Sequence, residues 1–276
     1  MSIQENLDKV KIKGSPFDEE LPDFSNTANE TKRFITGLRK LDNPGYVCFD
    51  IETGENNRSE LFKPEFKQPR ITASGKPHAS DKSIEDQLSE WKDKTPLSAT
   101  TGMILAIGYN IDSKIIIHTL VPSEKDNVLF HQTERSLIED FWKFYTSWKQ
   151  QRKSIWGFNI KSFDLPFIAQ RSFFHGIEVP IKNWQSWNLE VNDLKEIWQC
   201  GRSWQEGTIS FDNLCKYMGL EPKIDNGTNF AKNFLNQETR HLAISYLEDE
   251  MIKQGQLAEK FGAKRKVEIG GNTLAQ

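Results

Sequence analysis

The sequence predicts an α/β fold, a mixed sheet flanked by helices, in a single domain with a long insertion after the first strand. Runs of strand length rich in β-branched and aromatic residues (residues 46–51, MILAIGYNI, KIIIHTLV, SIWGFNI) are interleaved with segments whose apolar residues recur at helical spacing. A polar excursion, residues 54–100, parts the first strand from the second. No internal repeat is visible, and 276 residues suffice to bury a large core.

Bulk composition narrows the classes. Eighteen Phe and eight Trp argue for a folded globular chain rather than a disordered one. A net charge of -3 offers no global attraction for a polyanion, so any nucleic-acid contact must be a local patch. No apolar run reaches 18 residues and the first twenty lack a signal-peptide core, which predicts no membrane association and a cytoplasmic location. Cys48, Cys200 and Cys215 are odd in number and widely spaced, and read as reduced, mostly buried thiols.

In chain order, residues 1–30 are polar and read as a flexible arm; residues 31–262 form the domain and 263–276 a tail. A short helical pattern (ETKRFITGLRK) precedes Asn43-Pro44-Gly45, which punctuates entry into the first strand. The insertion is too long for an ordinary connection and reads as functional or mobile, with SIEDQLSEW as a short helix. MILAIGYNI and KIIIHTLV, parted by Asp112-Ser113, form an antiparallel hairpin. Leu137, Ile138, Phe141, Phe144 and Trp148 make a helical stripe. SIWGFNI is a buried strand, followed by a helix over 165–174 that stops at Gly176. ISFDNLCKYMGL is a helix ending at Gly219, and residues 238–261 are a long amphipathic helix.

Three polar stretches carry candidate chemistry. In CFDIETGE, strand alternation puts Asp50 and Glu52 on one face, with Phe49 and Ile51 on the other. Two adjacent acids beside buried residues resist ionisation unless a cation neutralises them, so the pair is a metal site or else a solvated strand end. In FNIKSFD, Asn159 and Asp164 interrupt an apolar setting, although an acid in a helix's first turn is also favoured by the helix dipole. In SYLEDE, Tyr246 is followed by Glu248, Asp249 and Glu250, either ligands or a solvated acidic face.

Together these stretches resemble the motifs of the DEDD exonucleases on the ribonuclease H-like fold, in particular the proofreading exonuclease domain of family-B DNA polymerases and its predicted stand-alone relatives. Asp50 and Glu52 match Asp-x-Glu at the end of the first strand; Asn159, Phe163 and Asp164 match Asn-x-x-x-Phe-Asp, and Leu165-Pro166-Phe167 continues the likeness. ISFDNLCKYMGL and KIDNGTNF resemble the stand-alone group, and the likeness covers roughly residues 46–262 apart from the insertion. The third motif of the tyrosine branch, Tyr-x-x-x-Asp, reads Tyr246 to Glu250 here, with Asp249 one residue earlier as the rival. The fifth residue after His241 is Tyr246, so the histidine branch does not fit.

The resemblance implies two-metal-dependent 3′–5′ hydrolysis of single-stranded DNA. Two Mg²⁺ or Mn²⁺ ions about 4 Å apart activate a water and stabilise the leaving 3′ oxygen. Asp50 would bridge the ions, Glu52 and Glu250 (or Asp249) would complete one site, and Asp164 would serve the other. Tyr246 would orient the attacking water. Asn159 and the backbone near Thr53 would contact the terminal nucleotide, with Phe163 packed beneath. RNA is the alternative substrate. A binding module that no longer cleaves is the rival of another class, because Glu250 is one methylene longer than aspartate and an error of about 1 Å can cost about a hundredfold in rate.

Other residues admit two readings. Trp184, Trp187, Trp198 and Trp204 are core residues or a base-stacking platform. Lys63, Lys67, Arg70, Lys76 and Lys82 are a solvated loop or a basic lip guiding the strand. His78, His118, His131, His175 and His241 lack ligand spacing and read as surface or incidental. Asp193 reads as a capping or supporting acid rather than a ligand.

Overall fold

Alternating apolar residues from Tyr46 onward build a ten-residue strand, β1 (Tyr46–Glu55), longer than the six the sequence marks out. In this computed structural model the described residues are 45–264, apart from 75–76, 79, 152, 186–187, 202–207 and 225–226. The arm over 1–30, the helix over ETKRFITGLRK, the tail beyond 264 and the residues Lys76, Trp187 and Trp204 lie outside them. No helix among the described residues is long and apolar enough to cross a membrane.

β1 pairs antiparallel with β2 (Gly102–Ile111), which turns through Asp112 and Ser113 into β3 (Lys114–Thr119). Both turn residues have positive φ, 47° and 76°, the backbone twist a two-residue hairpin requires. The Asp112 carboxylate accepts the Gly45 N–H at 2.8 Å, tying the turn to the entry of β1. Among the described residues the sheet has six strands in the order β4-β3-β2-β1-β5-β6, where β5 is Ser154–Gly157. β4 (Val128–Phe130) and β6 (Asn192–Asp193) were not legible, since three and two residues are too few to show a period. β1, β5 and β6 run parallel, so their carboxyl ends lie at one edge.

Among the described residues seven α-helices flank the sheet: α1 (Ile84–Lys94), α2 (Glu134–Gln150), α3 (Asp164–His175), α4 (Leu194–Gln199), α5 (Phe211–Tyr217), α6 (Phe230–Leu235) and α7 (Arg240–Lys260). Ser83, Thr133 and Ser210 cap α1, α2 and α5, each hydroxyl accepting a backbone N–H three residues on. This mixed α/β sheet is the ribonuclease H-like arrangement that the sequence predicts.

The two faces of β1 bury different helices. Phe49 meets Phe141 of α2 edge-on at 5.2 Å, and Tyr109 on β2 packs against Phe144. Cys48, on the other face, joins Leu257 and Ala258 of α7 and Leu214 of α5 in one core cluster. The approach of α7 is set by two glycines. A Cβ on Gly108 would lie 2.7 Å from Met251, and one on Gly255 would lie 2.2 Å from Asn110 Nδ2. Asn110 in turn donates to the Met251 carbonyl at 2.9 Å, so strand and helix are bonded as well as packed.

The insertion is anchored at both ends. Asn56 donates from its side chain to the carbonyls of Thr100 and Gly102, at 3.1 and 2.8 Å, and Arg171 donates to Ala99 O at 3.0 Å. Three of its cations pair within it: Arg70 with Asp81, Lys82 with Glu90, and Lys63 with Glu60. Those pairs favour the solvated-loop reading over a basic lip.

Three histidines correct the surface reading. His118 and His131 are buried with ring nitrogens 3.2 Å apart, and burial pushes both below the ordinary histidine range, His131 to about 4. His175 lies 2.8 Å from Glu134, which also forms a buried ion pair with Arg171 and accepts the Ile104 N–H. Burial of these side chains depends on contacts distant in sequence, which spacing does not encode. Cys48 and Cys215 are buried, Cys200 is exposed, and all three are free thiols.

Gly→Ala in an open helix gains about 1 kcal/mol. At Gly255 the sign reverses: the added methyl collides with Asn110, and Gly255→Ala is expected to lose about 1–3 kcal/mol in urea unfolding.

Candidate active site

Antiparallel register places Asp50 opposite Gly108 and Glu52 opposite Ala106, on the sheet face that α7 covers. The register then shifts between Glu52 and Thr53, leaving Leu105 as the extra residue and bending the strand beside the acids. Thr53 is half-buried just past this irregularity.

α7 crosses above with Tyr246, Glu250 and Gln254 at four-residue steps, one stacked above the next on a single helical face. Asp50, Glu52 and Glu250 each offer a carboxylate oxygen, and these atoms lie within 4.8 Å of one another. Gln254 donates to Asp50 Oδ1 at 3.0 Å, while its own Oε1 is buried without a hydrogen-bond partner among the described residues. Asp249 turns elsewhere: it pairs with Lys253 and accepts the Ile224 N–H at 3.3 Å.

Asp164 opens α3, 2% exposed, and its Oδ1 accepts the Ile51 N–H at 2.9 Å. This bond from the start of α3 to β1 fixes the acid beside the strand but outside the three-carboxylate group. Phe163, just before it, is half-buried with its ring 5.6 Å from that of Phe167. Asn159 sits in the turn after β5 with φ of 64°.

Electrostatics mark this corner of the fold. Burial raises the carboxyls of Asp50 and Glu52 well above their usual range, and Glu250 is the largest like-charge neighbour of each. Burial lifts Asp164 to about 8 against the lowering effect of the Ile51 N–H. The Tyr246 hydroxyl, 3% exposed, is pushed up by burial and by Glu250 and Glu52, so it stays a neutral phenol.

One functional residue was missed. Lys223 donates to the Tyr246 hydroxyl at 2.8 Å and to both Glu250 oxygens at 3.1 and 3.2 Å. Glu250 and Asp50 raise its pKa against the effect of burial. It is the first residue of KIDNGTNF, a stretch noted for its likeness but given no role, and a single lysine carries no periodic signal. Asp193 does cap α4, accepting the Lys195 N–H at 2.9 Å, and it also accepts the N–H groups of Asn159 and Lys161. Of the tryptophans, Trp198 packs its ring 4.9 Å from Tyr217 beside the core, whereas Trp184 is exposed.

A mixed sheet in this order, with acids on its central strand beneath a helix carrying tyrosine and glutamate, defines an exonuclease-like protein. The chain belongs to the family of predicted 3′–5′ exonucleases related to the exonuclease domain of PolB, whose model matches residues 104–250. Asn159, Asp164, Tyr246 and Glu250 fall inside that span, and Asp50 and Glu52 precede it. Among solved structures it is similar to the family B DNA polymerase from the hyperthermophilic archaeon Pyrobaculum calidifontis, at 14% identity and a TM-score of 0.47. That similarity covers 78% of this chain and 24% of the polymerase. No curated protein matches the sequence.

The raised Asp164 carboxyl makes a pH-dependent prediction. Its folded pKa of about 8 lies above the unfolded value, so its stabilising contribution is complete at low pH and is lost as pH rises through 8. In chelator, Asp164→Asn should therefore be more stable than the wild type at pH 8, on the order of 2–5 kcal/mol, with the gap closing towards pH 4. Urea unfolding across that range reads the difference.

Proposed function

We propose that this chain is a divalent-metal-dependent 3′–5′ exonuclease that removes nucleotides from the 3′ end of single-stranded DNA. The observation that carries the reading is the convergence of Asp50, Glu52 and Glu250 within 4.8 Å. Three clustered carboxylates, Glu52 and Glu250 buried and Asp50 half-buried, fit a hard divalent cation, as their oxygen donors suit Mg²⁺ or Mn²⁺. Asp50, Glu52 and Glu250 would hold one ion, with Asp50 shared with a second that Asp164 serves. Such ions supply Lewis-acid activation of water and stabilisation of the leaving oxygen.

The chain's own residues do the positioning. Tyr246 keeps its proton and orients the attacking water through its hydroxyl. Lys223 fixes that hydroxyl from the other side, since an ammonium only donates. Asn159 and the backbone at Thr53 engage the terminal nucleotide, and Phe163 packs below it. The same site would hydrolyse RNA, because nothing assigned here reads a 2′-hydroxyl.

A second reading is favoured by one contact. Both oxygens of Glu250 already meet the Lys223 ammonium, an ion pair that substitutes for a cation and suits a binding module that does not cleave.

The readings separate on 5′-labelled single-stranded DNA and RNA incubated with Mg²⁺, Mn²⁺ or chelator. The expected result is a metal-dependent ladder that is absent in Asp50→Ala and retained in Asp249→Ala. Binding without cleavage under every metal would establish the module instead. Lys223→Met is expected to slow cleavage about 10–100-fold while leaving oligonucleotide affinity in chelator within about twofold, because its contacts are to Tyr246 and Glu250.

A further inference from the structure

Beside the carboxylates, the turn between β5 and α3 is built with unusual constraint. Asn159 adopts a left-handed backbone, φ 64°, a conformation that asparagine tolerates better than most non-glycine residues. Asp193, 2% exposed, stabilises that turn by accepting the Asn159 N–H at 2.9 Å and the Lys161 N–H at 3.0 Å. The Asn159 carbonyl accepts the N–H groups of Ser162 and Phe163, so the backbone is held from both sides. A turn held this way presents its side chain in one direction.

Lys195, in the first turn of α4, decides which end of that side chain is presented. Its Nζ donates to Asn159 Oδ1 at 3.1 Å. An ammonium has three donors and no acceptor, so the carboxamide must turn its oxygen towards Lys195 and its NH₂ away. No acceptor among the described residues meets Asn159 Nδ2. Two N–H donors are therefore left to a ligand at the carboxyl end of β5, and β1, parallel to β5, carries Asp50 and Glu52 just beyond the residues that pair with β5. Crevices at the carboxyl ends of parallel strands are where open α/β sheets bind ligands.

We infer that Lys195 is a positioning residue that locks the Asn159 carboxamide as a pure hydrogen-bond donor, so that the site recognises an acceptor oxygen or nitrogen of the 3′-terminal nucleotide. The nature of the ligand rests on the exonuclease reading; the orienting role rests on the contacts around Asn159. The neighbouring Lys161 is neutralised by Glu196 at 2.7 Å, which leaves Lys195 as the lysine that touches the asparagine.

The test uses the full-length protein and a single strand with an internal fluorescein, linear or circularised. Lys195→Met should raise KM for the linear strand with Mn²⁺ about fivefold to tenfold, the loss of about one hydrogen bond, with kcat within twofold. Lys195→Arg, which also donates, should restore KM. In an Asn159→Ala background Lys195→Met should add nothing, since it acts through the amide. In chelator, wild type should bind the linear strand more tightly than the circle, and Lys195→Met should abolish that preference. Additive losses in the double variant, or equal losses on linear and circular strands with a shallower salt dependence, would overturn the inference and make Lys195 a general phosphate contact. Should wild type cleave nothing yet prefer ends, and Lys195→Met erase the preference, the exonuclease reading fails while the positioning role stands. If wild type shows neither cleavage nor end preference, both fall.

Discussion

Everything at the candidate site depends on how closely α7 can lie on the sheet. Gly108 and Gly255 lack the two Cβ groups that would hold the helix off, and the Asn110 bond to Met251 O fixes it at that depth. Gly108 is the cross-strand partner of Asp50, so the gap that admits α7 opens beside the first acid. From there the helical repeat brings Glu250 to the same cluster and Tyr246 one turn beyond. A helix held further out would leave Asp50 and Glu52 facing the helix across a gap.

That closeness has an electrostatic cost. Desolvation and mutual repulsion raise Asp50 and Glu52, and burial raises Asp164, so the folded chain holds acids in an environment that disfavours their charge. Strain of this kind concentrates where function needs it. The partial compensations are all specific: the Ile51 N–H to Asp164, Gln254 to Asp50, and Lys223 to Glu250. Each also orients its partner, so the groups that relieve the repulsion set the geometry.

The carboxyl edge of β1, β5 and β6 extends the same economy to a second turn. Asp193 both caps α4 and holds the loop around Asn159, linking the shortest strand of the sheet to the chemistry. The insertion is anchored by Asn56 and Arg171 and has several of its charges paired internally, and none of its described residues joins the carboxylate group.

What the sequence determined by itself was whatever repeats or alternates locally. The period of the strands, the stripe on α2, the helix stop at Gly176 and the hairpin turn at Asp112-Ser113 gave the α/β class, and alternation in CFDIETGE already put Asp50 and Glu52 on one face. The choice between Glu250 and Asp249 stayed open there, because residues three and four after Tyr246 share nearly one helical face. Tertiary structure brings Glu250 to Asp50 and Glu52 and pairs Asp249 with Lys253, since the rotation of α7 is set by its packing at Gly108 and Gly255. Tertiary structure alone also decided the buried histidine pair, the short strands β4 and β6, and the placing of Lys223 against Tyr246. The physical reason is common to them all. Such contacts join residues far apart in sequence, and their energy lies in burial and geometry that no local pattern of residues records.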